Sequence, residues 1–302
     1  MPELPEVETI RRQLAPLVKG RRVEAIEILD HRWSRPLAPA ELSDALLGLR
    51  VKSLERRGKY LVWNFTEDIY LAQHLRMTGA VLCEPASEPP HVRVRISLGP
   101  ARARGRGREL VIVDPRRFGT GELFFGAAAL ERFFDDRLGL EPFHEHFTVE
   151  HLRSLARGRT IPIKALLLDQ RRVAGVGNIY ADEALFRAGI HPLRPAGRLS
   201  RAQHADLREG MIGALEAGIA AKGATIDDFR HVDGVHGSFQ DLFMVHRRCG
   251  EPCPRCGATI IKLRAAGRGT YVCERCQPKP RAARKRPRAR REKLLAGSGS
   301  SR

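Results

Sequence analysis

The chain has 302 residues, 42% of them hydrophobic and 29% charged, a globular composition long enough for more than one core. No apolar run approaches the roughly 20 residues that span a bilayer. The acidic, amphipathic start lacks the basic and apolar regions of a secretory signal, so a protein of the reducing cytoplasm is expected. A net charge of +18 points to a polyanionic partner, nucleic acid before a membrane surface, because the cations are mostly arginine and no basic amphipathic helix stands out. A solvated basic surface without a specific partner is the alternative.

In the opening stretch Val7, Ile10, Leu14, Leu17 and Val18 recur at three and four residues, which predicts one helix with a single apolar stripe, ended by Gly20. On that helix Glu3 falls within the stripe, Glu6 at its edge and Glu8 on the far side. Glu8 is therefore expected to be solvated, and Glu3 to face the protein body, where a carboxylate must be paired or functional. The alternative is that acids simply suit a helix N-terminus.

From residue 22 to 125 the pattern is that of strands. Arg22–Ile28 alternates, Lys59–Phe65 is a β-rich run, and Val92, Val94, Ile96 and Leu98 alternate with polar neighbours, which predicts an antiparallel β-sandwich or barrel. The Gly/Arg-rich loop from Gly99 to Arg108 is cationic and expected to be mobile. Beyond residue 127 the signals are helical. Thr160 is expected to cap a short helix with Pro162 in its first turn, and Asn178 to cap Ile179–Arg187, closed by Gly189. Ser200 and Gln203 form a capping box for a long helix carrying Leu207, Met211, Leu215 and Ile219 and ending at Gly223. Ala188–Gly197 reads as a double turn between helices, and 223–248 as a long loop.

Four of six cysteines stand as Cys253-Pro-Arg-Cys256 and Cys273-Glu-Arg-Cys276, with sixteen residues between the pairs. That is the spacing of a zinc ribbon, whose four thiolates fill a tetrahedral ion and leave no open position for substrate, so one structural Zn²⁺ is expected. Disulfides, or thiols with no shared role, are the rival readings. Cys83 and Cys249 stand outside the set. The segment Pro278–Arg302 carries ten Lys/Arg and one Glu, half of the net charge, and is expected to be disordered.

Six landmarks occur in order: Pro2-Glu3-Leu4-Pro5-Glu6, Arg57-Gly58-Lys59-Tyr60-Leu61, His74-Leu-Arg-Met77-Thr-Gly79, Asp114-Pro-Arg-Arg-Phe-Gly119, Val173-Ala-Gly-Val-Gly-Asn-Ile-Tyr-Ala-Asp182, and the zinc knuckles. Together they resemble the formamidopyrimidine-DNA glycosylase family. The resemblance implies an α+β protein with an N-terminal helix and antiparallel β-sandwich (2–127), a helix-two-turn-helix domain with a base-capping loop (128–248), a zinc finger (249–277) and a basic tail (278–302). It further implies a monomeric, nucleoid-associated DNA-repair enzyme. Such an enzyme excises oxidised purines, 8-oxoguanine and formamidopyrimidines, from duplex DNA and then cuts the strand by β,δ-elimination.

Site roles follow from the same resemblance. Removal of Met1 would leave Pro2 as a free secondary amine, and an α-amino group titrating near 8 is a ready nucleophile for a sugar carbon. Glu3 becomes the general acid/base, with Glu6 supporting it and Lys59 beside them. Met77, Arg116 and Phe118 would fill the gap left by an extruded nucleotide, since wedges are apolar or planar side chains on loops. Lys59, His74, Asn178 and Arg268 match phosphate-contacting positions, and His91 joins the DNA-binding set. His246 stands where the family usually has tyrosine, in Val245-His246-Arg247-Arg248, and could still donate to a phosphate. The capping loop reads Thr225-Ile226-Asp227-Asp228, with an acid in place of a cation. The alternatives are the sister endonuclease VIII family, acting on oxidised pyrimidines, and a zinc-ribbon protein that binds damaged DNA without chemistry. Leu4 and the Met77, Arg116, Phe118 set favour the purine branch.

Overall fold

In the computed structural model of the chain, which describes residues 2–101, 105–225, 232 and 236–280, helix α1 (Leu4–Val18) enters both major cores. Val7, Ile10, Leu14 and Val18 are fully buried in the core of the β-sandwich, whereas Leu4, one turn earlier, belongs to the core of the helical region. The backbone N–H of Leu4 also donates to the carbonyl of Gly175 at 3.0 Å. The first turn of α1 therefore lies where the two halves meet.

The sandwich has two four-stranded antiparallel sheets. One runs β1 (Val23–Ile28), β6 (Val92–Leu98), β7 (Arg108–Val113), β5 (Ala80–Cys83), and the other β2 (Val51–Arg57), β3 (Tyr60–Phe65), β4 (Ile69–His74), β8 (Thr120–Phe125). Strand β3 is buried along nearly its whole length because both of its faces are covered. Leu61, Trp63 and Phe65 enter the sandwich core, while Tyr60 and Val62 meet Phe133 and Phe134 of α3 (Ala127–Asp135) on the outer face. That double coverage is why Lys59–Phe65 shows no alternation. Helix α2 (Pro39–Leu46) packs on β1.

The helical region contains α4 (Val149–Ala156), α5 (Ile163–Leu168), α6 (Asn178–Arg187) and α7 (Arg201–Ala220). The Ser200–Gln203 capping box forms as expected. Two caps differ. Helix α5 begins after Pro162, so Thr160 caps nothing, and Asn178 is the first helical residue of α6, with Gly177 in the cap position. The finger is a hairpin of β9 (Ile261–Ala265) and β10 (Arg268–Val272) above the four cysteines. Among the described residues no helix is long and apolar enough to cross a membrane. Met1, Ile226, Asp227, Asp228, part of the Gly99–Arg108 loop and the tail beyond Pro280 lie outside the described residues.

Glu8 corrects the helical-wheel reading, for it is only 8% exposed. It accepts hydrogen bonds from Arg11 and Arg12 on its own helix and from Arg56 of β2 at 3.1 Å. Burial alone would raise its carboxyl, but these arginines outweigh burial and bring it down to about 2. A carboxylate depressed in the folded state stabilises the fold above its ordinary value of 4.5, and that contribution is lost as the pH falls from 4.5 towards 2. Glu8→Gln should therefore cost ~1–3 kcal/mol at pH 7, measured by thermal denaturation. The gap to the unsubstituted protein should narrow as the pH falls below 4.5 and close only near pH 2; a gap independent of pH would show that the ion cluster contributes little.

Candidate active site

Glu3, Glu6 and Lys59 converge, all buried, where α1 meets the helical region, at the residues that follow Pro2. Glu3 accepts hydrogen bonds from the backbone N–H groups of Ile179 at 3.0 Å and Tyr180 at 3.4 Å. A side chain 176 residues away in sequence thus occupies the N-terminus of α6, where the exposed N–H groups and the helix dipole favour an anion. Gly177 makes this possible, because a Cβ there would fall 2.3 Å from the Glu3 carboxyl carbon.

Glu6 accepts from three donors: the Glu3 N–H at 2.9 Å, the Tyr180 hydroxyl at 2.7 Å and the Ala224 N–H at 2.8 Å. Burial, and then the neighbouring Glu3 charge, push its carboxyl above the usual range. Gly223, at φ +81°, turns the chain after α7 so that Ala224 can reach Glu6. The Lys59 ammonium donates to the Val176 carbonyl at 3.1 Å, and burial lowers its pKa. Two acids and a cation thus share one buried site, with Glu6 shifted up and Lys59 down, and shifts of this kind cluster at functional sites. Tyr180 was not singled out from sequence. Its signal was present in the Asn178-Ile-Tyr-Ala-Asp182 run, since a buried tyrosine hydroxyl needs a partner.

Beside this cluster His74 is buried at the end of β4. Its Nδ1 accepts from the Arg76 N–H at 2.9 Å, which leaves Nε2 to carry the proton. Burial, with Arg76 and Lys59 nearby, lowers its pKa to about 3, so it is a neutral donor at pH 7. Met77 follows in a turn and is half-buried. Arg116 and Phe118 stand exposed on the β7–β8 connection, the guanidinium 4.9 Å from the ring centroid. Asp114 shapes that turn by accepting from the Thr78 hydroxyl and from the N–H groups of Arg116, Phe118 and Gly119. Arg117, pointing the other way, forms a bidentate pair with Asp30. His91 is exposed, and its carbonyl accepts from the Asp114 N–H at 3.0 Å.

Asn178 and Arg268 are adjacent through the hairpin, since Asn178 Nδ2 donates to the Gly269 carbonyl at 3.1 Å while Arg268 is exposed. His246, expected to be able to donate to a phosphate, lies largely within the protein. It is 5% exposed, and its Nδ1 donates to Asp182 at 2.8 Å, so that face of the ring is used within the protein. The four cysteine Sγ atoms lie within 4.8 Å of one another. Zinc–sulfur bonds of about 2.3 Å place the corners of a tetrahedron about 3.8 Å apart, and the 3.5 and 3.8 Å Sγ–Sγ separations at Cys256–Cys273 and Cys253–Cys276 fit one such ion. Bound there, zinc serves a structural role.

Comparison with known proteins accounts for nearly the whole chain. Residues 1–121 match the formamidopyrimidine-DNA glycosylase N-terminal domain, residues 138–230 its H2TH domain, and residues 250–279 the zinc finger found in FPG and IleRS. A formamidopyrimidine-DNA glycosylase of Roseiflexus sp. (strain RS-1) is 43% identical over 282 residues, 92% of this chain and all of that protein. Among solved structures, a variant of Lactococcus lactis FPG in complex with Fapy-dG-containing DNA superposes with a TM-score of 0.83 at 35% identity, covering 92% of this chain and 100% of that one. Wild-type Lactococcus lactis FPG in complex with DNA containing an oxidised pyrimidine gives 0.83 at 36% identity over the same shares. The fold, the buried acid pair at the head of α6 and these relatives agree: the chain belongs to the formamidopyrimidine-DNA glycosylase family.

Proposed function

We propose that this DNA glycosylase and AP lyase excises oxidised purines from duplex DNA through an N-terminal Pro2 amine. The observation that carries the reading is the fixing of Glu3, the residue after Pro2 in the chain, at the α6 N-terminus with Glu6 and Lys59 beside it. The Pro2 nitrogen bonds to C1′ as the bond to the base breaks, the electron pair leaving with the base, which takes up a proton. The Pro2 N–H proton passes to the Glu3 carboxylate, which delivers it to O4′ as the sugar ring opens, leaving C1′ joined to Pro2 as an iminium. Loss of a C2′ proton then expels the 3′ phosphate, and a second elimination the 5′ phosphate. Lys59 is the second proton carrier, its ammonium made more acidic by burial.

Residues 2–127 carry this chemistry, 128–248 and 249–277 grip the duplex, and 278–302 adds salt-sensitive attraction to nucleoid DNA. His74, His91, Asn178 and Arg268 hold the backbone, while Met77, Arg116 and Phe118 fill the vacated stack. Leu4 and that wedge set favour purines; the relative in complex with an oxidised-pyrimidine DNA makes pyrimidine the reading to test against. Borohydride reduction during turnover, followed by peptide mass mapping, should place the adduct on Pro2, and more of it with an 8-oxoguanine duplex than with an oxidised-thymine duplex. An adduct on a lysine would remove Pro2 from the mechanism, and a thymine preference would reverse the branch.

A further inference from the structure

Away from the reaction centre, three ionisable side chains are buried together between the helical region and the zinc hairpin. Lys164 of α5 and Asp182 of α6 have no exposed side-chain surface and pair at 2.7 Å, and His246 Nδ1 donates to the other Asp182 oxygen at 2.8 Å. Burying such a pair is costly, and apolar residues of similar volume often serve a fold as well. Stability alone does not account for the group, so its contacts matter.

Those contacts converge on four consecutive residues of β10. The Lys164 ammonium donates to the Thr270 hydroxyl at 2.8 Å, with a longer approach of 3.5 Å to the Gly269 carbonyl. The Thr270 hydroxyl in turn donates to the Arg268 carbonyl at 3.2 Å. The His246 ring meets the Tyr271 ring edge-on at 5.1 Å. Glu183, beside Asp182, accepts from the N–H groups of Met244, Val245 and His246 and so fixes the segment that presents the histidine. A two-stranded hairpin of five-residue strands is marginal without external support. Zinc holds only its base, and Arg268 stands at the other end.

We propose that Lys164, Asp182 and His246 are positioning residues that fix the register and height of β10, so that Arg268 meets a DNA phosphate beside Asn178. This rests on the reading of Arg268 as a phosphate anchor. The test measures binding of a duplex carrying a stable abasic-site analogue at several salt concentrations, with zinc content and melting temperature recorded for each protein. Lys164→Met/Asp182→Leu replaces the ion pair by apolar groups and should keep fold and zinc; His246→Phe keeps the ring contacts but removes the bond to Asp182. In both, the slope of log K against log salt should fall by about 0.9, the value of one phosphate contact, with binding at physiological salt about tenfold weaker. Adding Arg268→Ala should then change the slope no further. A slope equal to that of the unsubstituted protein in both variants, with Arg268→Ala still removing a full contact, overturns the inference. An unchanged slope for Arg268→Ala alone would instead remove the phosphate-anchor reading, and this proposal with it.

Discussion

Glu3→Gln is expected to lower the single-turnover rate of base excision by ~10²–10⁴-fold, the range for removal of a positioned general acid, while duplex affinity changes by less than about threefold. Glutamine keeps the shape of the side chain, and its amide oxygen can still accept the Ile179 N–H that Glu3 now accepts. It cannot donate and retrieve a proton at the sugar, and it lacks the charge that the N-terminus of α6 favours, worth ~0.3–1 kcal/mol of stability. The melting temperature should therefore fall only slightly, separating lost chemistry from lost folding. Burst kinetics on an 8-oxoguanine duplex provide the measurement; an undiminished excision rate would take Glu3 out of the reaction.

Zinc removal should have the largest effect on DNA binding. The buried residues of the finger cluster are Phe186, Val245, Cys253, Ile260 and Cys273, and two of these are the proposed ligands. So small a core cannot hold the hairpin without the metal, whose apparent contribution in structural sites is ~10–16 kcal/mol. Stripping it should release Arg268 and weaken duplex binding by more than about tenfold at physiological salt, the scale of losing one or more backbone contacts. Truncation after Gln277 should do less. The Gln277 side chain, which bridges the Cys273 N–H and the Ile190 carbonyl, is retained, and only screened, sequence-independent attraction is lost. Filter binding of chelated and truncated proteins compares the two, and the reverse order would make the tail the principal anchor.

The elements whose information is local were legible in the chain itself. The apolar stripe of α1, the Ser200–Gln203 cap, the alternation in β6 and the spacing of the cysteine pairs each depend on neighbours a few residues apart, where helix and strand periods and metal geometry act directly. Of the residues in the motifs, Glu3, Glu6 and Lys59 come together in the fold. What side chains did on arrival was decided by contacts across the fold. Glu8 looked solvated on its own helix and is buried because Arg56 of β2 covers it. Asn178 reads as the cap of α6, but Gly177 holds that position and the free N–H groups there are satisfied by Glu3 from the start of the chain. His246 reads as a possible phosphate donor, and its Nδ1 is taken up by Asp182, a charged acceptor paired with Lys164. In each case the partner lies 48 to 176 residues away. A local pattern reports how one element divides its faces between core and solvent; which charge will meet another follows only from how the elements pack, because electrostatic pairing depends on distance in space and not along the chain.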